Sequence, residues 1–572
     1  MNKKQCTAAT KMIEILQNQG VECLFGLPGG SAIPMYDALA QSTMKLVLTR
    51  HEQGATHMAD GYARSTGKPG VVLVTSGPGA TNTLTGIMTA MMDSVPMVVL
   101  CGQQLTMNLG LDTFQEADVS GMSYPIVKHS FLVKDPEELP SVINQAFHIA
   151  STGRPGPVIV DIPKNVSSAL IPEDTSGEFS LPGYNPLKEV NQDDVKKAAT
   201  MISVAQRPIL MVGHGAVISG AVKEVQAIVE KMQIPVVNTL LGKGCFPESH
   251  DLNLGMPGMH GTAYANMALC ECDLIVSIGS RWDDRIAGNP DEFLPQAKKI
   301  HIDIDPVEIN KAVQVDCSVI GDAREILNSL YAYLNKGNTQ RWVKQIKRLK
   351  REYPLKYKKE GKLRAQHVIE EMSKLTKGEA IVTSDVGQHQ MWAAQFFKTE
   401  KSRHFLTSGG AGTMGYGFPA AIGAQIGNPG KTVVAIVGDG GFQMTLPELS
   451  TVVNEKLPLK ILIINNNYLG MVRQWQHMFY ENRLSGVDLE GNPDFVKLAA
   501  AYGIKGFRVK RSADVRKVLN AALAYSDGPC IIDAEVEQHD NVFPMVPSGA
   551  TLDKMLLSMP RNKKLEKPTG GT

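Results

Sequence analysis

The chain has almost no net charge: 58 Lys and Arg stand against 57 Asp and Glu, a formal +1. That balance excludes the basic footprint of a nucleic-acid binder or of a protein held electrostatically on an acidic membrane. No apolar run reaches the ~20 residues that cross a bilayer. Paired cysteine motifs are also missing. The eight cysteines, Cys6, Cys23, Cys101, Cys245, Cys270, Cys272, Cys317 and Cys530, are scattered, and Cys270 and Cys272 form CxC rather than a zinc-type CxxC. Several lie in apolar runs and read as small buried hydrophobes, which suits a reducing compartment. The opening MNKKQCTAATKMIEIL shows neither a signal-peptide apolar region nor an Arg- and Ser-rich transit character. A cytoplasmic location is expected.

What is present is an alternation of helix and strand patterns. At 572 residues, 43% hydrophobic and 20% charged, the chain needs more than one core, and two to four domains are expected. In the first third, strands read at 23–25, 45–48, 71–75, 97–100 and 158–162, with a helix at 8–19 and another after His51. A Pro-, Gly- and Ser-rich stretch follows, and then strands at 208–212, 235–238, 274–278 and 299–304. A strongly basic stretch at about 335–362 reads as a solvated helix and linker, with a nucleic-acid patch as the alternative that the near-neutral chain disfavours; it precedes a last block with strands at 380–382, 433–437 and 461–464. The expected division is 1–166, a linker at 167–192, 193–334, a basic linker at 335–363, 364–543, and a tail at 544–572. Three parallel α/β domains are the economical reading. The first and last share a rhythm, but no short-period repeat appears.

The most informative stretch runs from Val433 to Tyr468. A β-branched run ends in Gly438-Asp439-Gly440, a helical pattern covers about 447–456, and a second apolar run ends in Asn465-Asn466. A right-handed βαβ unit of this kind brings its two loops together at the carboxyl ends of neighbouring strands. Asp439 and Asn466 then offer hard oxygens suited to Mg²⁺ that also takes phosphate oxygens. An ordinary Gly-Asp-Gly turn is the alternative.

Other stretches read two ways. Glu52, in LVLTRHEQGA, completes a Thr49-x-x-Glu52 capping box, or else is a buried carboxyl that shares a proton with a cofactor ring. SDVGQHQ (384–390) is a polar turn or a phosphate loop through Gln388 and His389. In SGGAGTMGYG (408–417), Met414 is a core residue or a soft wedge against a bent cofactor. VGHGAVISG begins like a dinucleotide fingerprint at Gly213 and Gly215 but has Ile218 in the third position, which disfavours a Rossmann NAD site. Thr239–Gly242, RWDDR (281–285) and DID (303–305) still suggest a nucleotide, with surface salt bridges as the alternative. Trp475 lies on an apolar helix stripe with Met471, Val472, Met478 and Phe479.

Taken together, RHEQGA, TSGPGATN, DTFQEADVSGM, GRPGPVIVDIPK, GMHGT, RWDDR, HIDIDP, SDVGQHQMWAAQ, GTMGYGFPAA, GDGGFQM and NNNYLGMVRQWQ resemble, in order, the catalytic subunit of the acetohydroxyacid (acetolactate) synthase family in its biosynthetic, FAD-containing form. The resemblance spans about residues 5–550. It implies three α/β domains of the thiamine-diphosphate-dependent pyruvate oxidase/decarboxylase type. The cofactors implied are thiamine diphosphate, Mg²⁺ and FAD. The reaction implied is decarboxylation of pyruvate and transfer of the hydroxyethyl carbanion to pyruvate or 2-ketobutyrate. The products are 2-acetolactate and 2-aceto-2-hydroxybutyrate, intermediates of branched-chain amino-acid (isoleucine and valine) biosynthesis. A homodimer or tetramer is implied, with a small regulatory subunit, no nucleic acid and no membrane.

Carried over residue by residue, the resemblance makes Glu52, Gln115 and Lys128 catalytic. Thiamine diphosphate falls to Glu52, Val386, Gly387, Gln388, His389, Gly412, Met414, Gly440, Gly441, Leu469, Gly470 and Met471. Mg²⁺ falls to Asp439, Asn466 and the Tyr468 carbonyl. FAD falls to Arg154, Gly213, His214, Gly215, Thr239, Leu240, Met259, His260, Gly279, Arg281, Asp283, Arg285, Asp303, Ile304 and Asp322. Substrate falls to Gly30, Phe114, Lys128, Arg285 and Trp475, the last tied to acceptor preference. Glu52 is expected from one subunit and the metal set from another. Leu27, Ser31 and Gln104–Met107 depart from the family pattern around the substrate entrance. The neighbouring possibilities are pyruvate oxidase, glyoxylate carboligase, an FAD-free acetolactate synthase and a catalytically silent paralogue. Glu52 speaks against the carboligase, and RWDDR with GMHGT against the FAD-free form.

Overall fold

The computed structural model describes residues 4–186 and 189–559. β-branched and aliphatic runs become strands buried on both faces, as parallel sheets require. The first block holds six such strands, ordered Lys45–Leu48, Cys23–Leu27, Gly70–Val74, Met97–Gln103, Pro157–Pro163, His129–Leu132, all parallel. The last block is ordered Phe405–Thr407, Ile381–Ser384, Val433–Gly438, Lys460–Asn465, Cys530–Glu535, Lys505–Val509, again all parallel. Numbered along the chain within each sheet, both orders are 2-1-3-4-6-5. The shared rhythm of the two blocks is therefore a shared topology. The middle block is a five-stranded parallel sheet ordered Val236–Asn238, Pro208–Val212, Leu274–Ile278, Lys298–Asp303, Cys317–Ile320. In all three sheets the order reverses between the first and third strands, the crevice where ligands of open α/β sheets sit.

The stretches expected as connections are more structured than their composition suggests. Within 335–363, Gln340–Glu352 is a helix. Its Trp342, Ile346 and Leu349 are buried with Ile209, Met211 and Trp282 of the middle block, and the Trp342 indole donates to the Pro208 carbonyl at 3.0 Å. The lysines and arginines cover its outer face, so an amphipathic helix had the composition of a charged linker. In the segment 167–192, Leu170–Pro172 pairs antiparallel with Gln5–Thr7; residues 187 and 188 lie outside the described residues. The expected tail begins by packing on the middle block. The Val546 amide donates to the Met259 carbonyl at 2.8 Å, and Val546 and Leu552 are buried beside Trp282 and Trp342. Residues 560–572 lie outside the description.

The outer blocks are joined by helix Glu52–Thr66 crossing helix Gly417–Gly427. Small residues set the distance. A Cβ on Gly61 would stand 2.7 Å from the Ala420 Cα, and one on Gly423 would stand 2.9 Å from the Met58 Cα. A buried polar cluster pins the same crossing. Arg64 bonds Asp60 at 2.6 Å and Asp93 at 2.8 Å, and the Tyr416 hydroxyl donates to Asp60 at 2.6 Å.

Candidate active site

The loops after the first four strands of the last sheet converge on one cleft. Val386, Gly387, Gln388, His389, Met414, Gly438–Gly441, Asn466, Tyr468, Leu469, Gly470, Met471 and Val472 line it, with Trp392 and Ile464 behind. Gly438-Asp439-Gly440 is not a simple turn, because Asp439 opens the helix Asp439–Met444. The helical stretch beyond it is split into a 3-10 turn, Leu446–Glu448, and a helix, Leu449–Asn454. Asp439 is buried, which pushes its carboxyl up to about 6 against hydrogen bonds that favour ionisation. One of its oxygens accepts from Asn492 at 2.6 Å. The Asn466 side-chain oxygen accepts the Tyr468 amide at 3.1 Å, which holds the turn of Asn467 at φ 56.

The cleft suits a phosphorylated cofactor and a hard cation. Gly387, Gly440, Gly441 and Gly470 wall the cleft without side chains, and a Cβ on any of them would meet the chain itself at 2.9 Å or less. At Gly387 the φ of 149 favours glycine, and at Gly470 a Cβ would stand 2.8 Å from the Asn466 side-chain nitrogen. Buried His389 is held neutral, with desolvation taking it down to about 3, and its Nε2 has no partner among the described residues. A buried ring nitrogen without a partner at the edge of a glycine-walled cleft fits a polar group there. Gln388 is already tied, donating to Gln474 at 2.9 Å and to the Asp540 carbonyl at 2.8 Å.

The glycine-rich loop carrying Met414 is fixed from both sides. Asp385 accepts the amides of Val386 at 2.8 Å and Gly415 at 2.9 Å. From the first block, Asp93 accepts the amides of Gly409 at 2.9 Å and Gly410 at 2.7 Å. Between these anchors Gly412, at φ 63, faces open space, and Met414 reaches the cleft. Sequence reasoning assigned no role to Asp385 or Asp93. The signal available was a lone acid at each of two apolar junctions, Ser384-Asp385 and Met92-Asp93.

Glu52 is buried at the first position of its helix, and the capping reading does not hold. His51 is the N-cap, accepting the Gln53 amide, whereas the Thr49 hydroxyl donates to the Gly26 carbonyl. Glu52 instead accepts from the Asn82 amide side chain at 3.0 Å. It is not among the residues that line the Asp439 cleft. Elsewhere on the first block, Phe114 is 83% exposed and Gly30 opens to solvent, while Gln115 adopts φ 59. Lys128 is engaged elsewhere. Its ammonium donates to the Ile149 and Thr152 carbonyls and to the Tyr184 hydroxyl, so its three donors are already used.

The residues expected on a flavin path are spread along the carboxyl ends of the middle-sheet strands, with Arg154 from the first block, and many are committed to the chain itself. Gly213 and Gly215 are glycine because the Gly279 backbone crosses them, at 2.8 and 2.7 Å from where a Cβ would be. Asp283 and Asp322 cap helices, each accepting two backbone amides. Arg154 pairs with Asp305 at 3.2 Å and Glu308 at 2.7 Å, so the salt-bridge alternative holds there. His214 Nδ1 lies 2.8 Å from the Asp93 carbonyl, and Asp303 accepts the Asp305 amide at 2.9 Å. Thr239 hydrogen-bonds the Gly242 amide at 3.2 Å, ahead of Leu240; Ile304 follows the strand end. Buried His260 and Trp282 keep His260 Nδ1 and Trp282 Nε1 without partners among the described residues. Those unpartnered polar atoms fit a bound heterocycle. Arg281 lies against Gly410, and Arg285 is more than half exposed, 3.7 Å from Asp284 and near Met259. Trp475 sits in helix Gly470–Phe479 one turn beyond the cleft residues Met471 and Val472, its ring 5.1 Å from Phe479.

Comparisons agree with this geometry. Residues 6–122 match the N-terminal TPP binding domain of thiamine pyrophosphate enzymes, 195–330 their central domain, and 385–534 their C-terminal TPP binding domain. The chain is 46% identical over 565 residues to an acetolactate synthase of Mycobacterium bovis, covering 96% of this chain and 91% of that one. It is 47% identical over 560 residues to the acetolactate synthase large subunit of Corynebacterium glutamicum, at 96% and 90% coverage. To the large subunit of Haemophilus influenzae it is 43% identical over 570 residues, at 98% and 100% coverage. With its three blocks each matched and its relatives aligned over nearly the whole length, the chain belongs to the acetolactate synthase large-subunit family of thiamine pyrophosphate enzymes.

Proposed function

We propose that the acetolactate synthase reaction takes place where two copies of this chain meet, one giving Glu52 and the other the Asp439 cleft. The observation that carries this reading is the separation of Glu52 from the lining of that cleft, although ring activation and phosphate clamping must act on one coenzyme. A second observation favours it. Met88, Met92, Phe114, Met122 and Tyr124 leave large apolar side chains exposed on the first block, apolar area that a partner copy would cover.

Thiamine diphosphate, when bound, supplies the electron sink for loss of carbon dioxide from pyruvate and for carbon–carbon bond formation. The chain does the rest. Asp439, Asn466 and the Tyr468 carbonyl hold Mg²⁺ through hard oxygens. Gly387, Gln388, His389, Gly440, Gly441, Leu469, Gly470 and Met471 surround the diphosphate. The Gly412 carbonyl and Met414 orient the aminopyrimidine, and Glu52 shares a proton with its ring nitrogen. Gly30, Phe114 and Gln115 enclose the donor and exclude water. Lys128 reaches the substrate only if its present bonds open. Arg285 holds the carboxylate of the acceptor by paired hydrogen bonds, and Trp475 meets its alkyl end. FAD is assigned to the middle-sheet crevice, held through His260, Arg281, Thr239 and Asp303.

The acceptors are pyruvate and 2-ketobutyrate, and the products enter isoleucine and valine biosynthesis in the cytoplasm. The large-subunit names of the relatives support a smaller regulatory partner. Among the described residues no helix is long and apolar enough to cross a membrane. The test is incubation with mixed pyruvate and 2-ketobutyrate plus thiamine diphosphate and Mg²⁺, with product analysis, a visible flavin spectrum and sedimentation. Both acetohydroxy acids, a bound-flavin spectrum and a dimer or larger species are expected. A fully active monomer would overturn the shared site.

A further inference from the structure

A buried acid that none of these roles uses sits beyond the helix that Asp439 opens. Glu448 ends the turn that follows Asp439–Met444 and is 1% exposed. Its carboxylate reaches out of the last block into the turn of the first block that bears Glu52. Oε1 accepts the Arg50 amide at 3.0 Å and the His51 amide at 3.0 Å. Oε2 accepts the Arg50 amide at 3.2 Å and the Thr451 hydroxyl at 2.6 Å. The Thr451 hydroxyl also lies 3.3 Å from the Leu48 carbonyl, at the end of the preceding strand. Gly54 makes room: a Cβ there would stand 2.8 Å from the Glu448 carboxyl carbon. Burial pushes this carboxyl up, and the Thr451, Arg50 and His51 hydrogen bonds pull it back.

The bonded amides, Arg50 and His51, immediately precede Glu52, at a helix start where donors would otherwise lack acceptors. Asn82 orients the side chain of Glu52 through a bond of 3.0 Å, and the backbone just before it is held by Glu448. Hydrogen bonds to an ionised acceptor are the stronger kind. Replacing one buried partner leaves the others unsatisfied.

We propose that Glu448 is a positioning residue for Glu52, holding the 50–54 turn so that the Glu52 carboxyl meets the cofactor ring. This rests on the reading of Glu52 given above. The connection between strands Val433–Gly438 and Lys460–Asn465 thus carries the metal carboxylate of one shared site and the clamp on the ring-activating acid of the other.

The test compares E448A, E448Q, E52Q and the E52Q/E448A double variant as holoenzymes with thiamine diphosphate and Mg²⁺. E448A should slow exchange of the coenzyme C2 proton and kcat by roughly tenfold to a hundredfold, as for a misplacement of about 1 Å. Coenzyme affinity and the KM for pyruvate should stay within about twofold to threefold, because the Asp439 and Asn466 contacts remain. E448Q keeps an acceptor for the two amides and should recover most of the loss. In the E52Q background, E448A should add less than about twofold, since both act through one carboxyl. In cofactor-free protein, the Arg50 and His51 amides should exchange with solvent faster in E448A.

Multiplicative losses in the double variant, unchanged C2 exchange in E448A, or a parallel fall in coenzyme affinity would each overturn the proposal. Where E448A yields no soluble protein, G54A perturbs the same carboxylate from the other side, and wild-type C2 exchange in it overturns the proposal equally. Wild-type C2 exchange in E52Q is a different failure: it removes the reading of Glu52 itself.

Discussion

Gly61→Ala places one methyl group in the crossing that joins the outer blocks. The added carbon would lie 2.7 Å from both the Cα and the carbonyl carbon of Ala420. Nonbonded carbons rest at about 3.5–4.0 Å, so those contacts alone part the helices by about 0.8–1.3 Å, and the Ala420 carbonyl oxygen, closer still, makes this a minimum. Backbone lies on the facing side, so no side-chain rotation relieves the contact. Overpacking of this kind costs about 1–3 kcal/mol. Helix Glu52–Thr66 moves as a rigid element and carries Glu52 at its first position. A displacement of about 1 Å at a reacting group lowers turnover by up to about a hundredfold. The assays are the thermal midpoint and steady-state turnover of pyruvate, with Gly430→Ala as control, since a Cβ there meets nothing within 4 Å. A lower midpoint and at least tenfold slower turnover are expected for Gly61→Ala, about the lower end of the range for such a displacement. Wild-type values for both would refute the view that this glycine contact sets the position of Glu52.

Asp439→Ala should abolish Mg²⁺-dependent retention of thiamine diphosphate; titration of the coenzyme at fixed Mg²⁺ reads this, and unchanged affinity contradicts the ligand role. Trp475→Leu should lower the preference for 2-ketobutyrate over pyruvate, read from the product ratio. A single methylene in an apolar pocket is worth about 1–3 kcal/mol, so the wild-type preference is at most about two hundredfold. Trp342→Ala should destabilise the middle block by about 3–5 kcal/mol, seen as an earlier unfolding transition; a surface helix would show no change. Burial raises the Asp161 carboxyl to about 7, with Gln103 partly opposing. A raised folded-state value means that its favourable contribution is complete below the unfolded value and is lost as pH rises through about 7. Asp161→Asn should therefore flatten the fall in thermal midpoint between pH 4 and 7, and an unchanged slope would count against it.

Local patterns carried far into this molecule. Strands Lys45–Leu48, Pro208–Val212 and Leu274–Ile278 fall where the apolar runs place them, because alternation and β-branching act within a few residues. The Asp439 and Asn466 loops meet because parallel neighbours must bring their carboxyl ends together, a rule of connection rather than of side chains. Short or polar-edged strands such as His129–Leu132, Phe405–Thr407 and Cys317–Ile320 gave no such signal, and the sheets supply their stability. A helix was expected in the basic stretch, but the buried face of Gln340–Glu352 was hidden by its charge, since composition averages over the buried and exposed faces.

What the amino-acid order determined, then, was the α/β class, the glycine and acid loops, and the family. Tertiary structure alone decided which acids serve those loops. Glu448 finds the amides of Arg50 and His51, and Asp93 finds those of Gly409 and Gly410, across more than 300 positions of chain. It also decided why Gly54, Gly61 and Gly213 lack a side chain: in each case a distant segment occupies the space. Hydrogen bonds and close contacts between remote segments leave no periodic trace in either one, because each segment meets its partner only after both have folded.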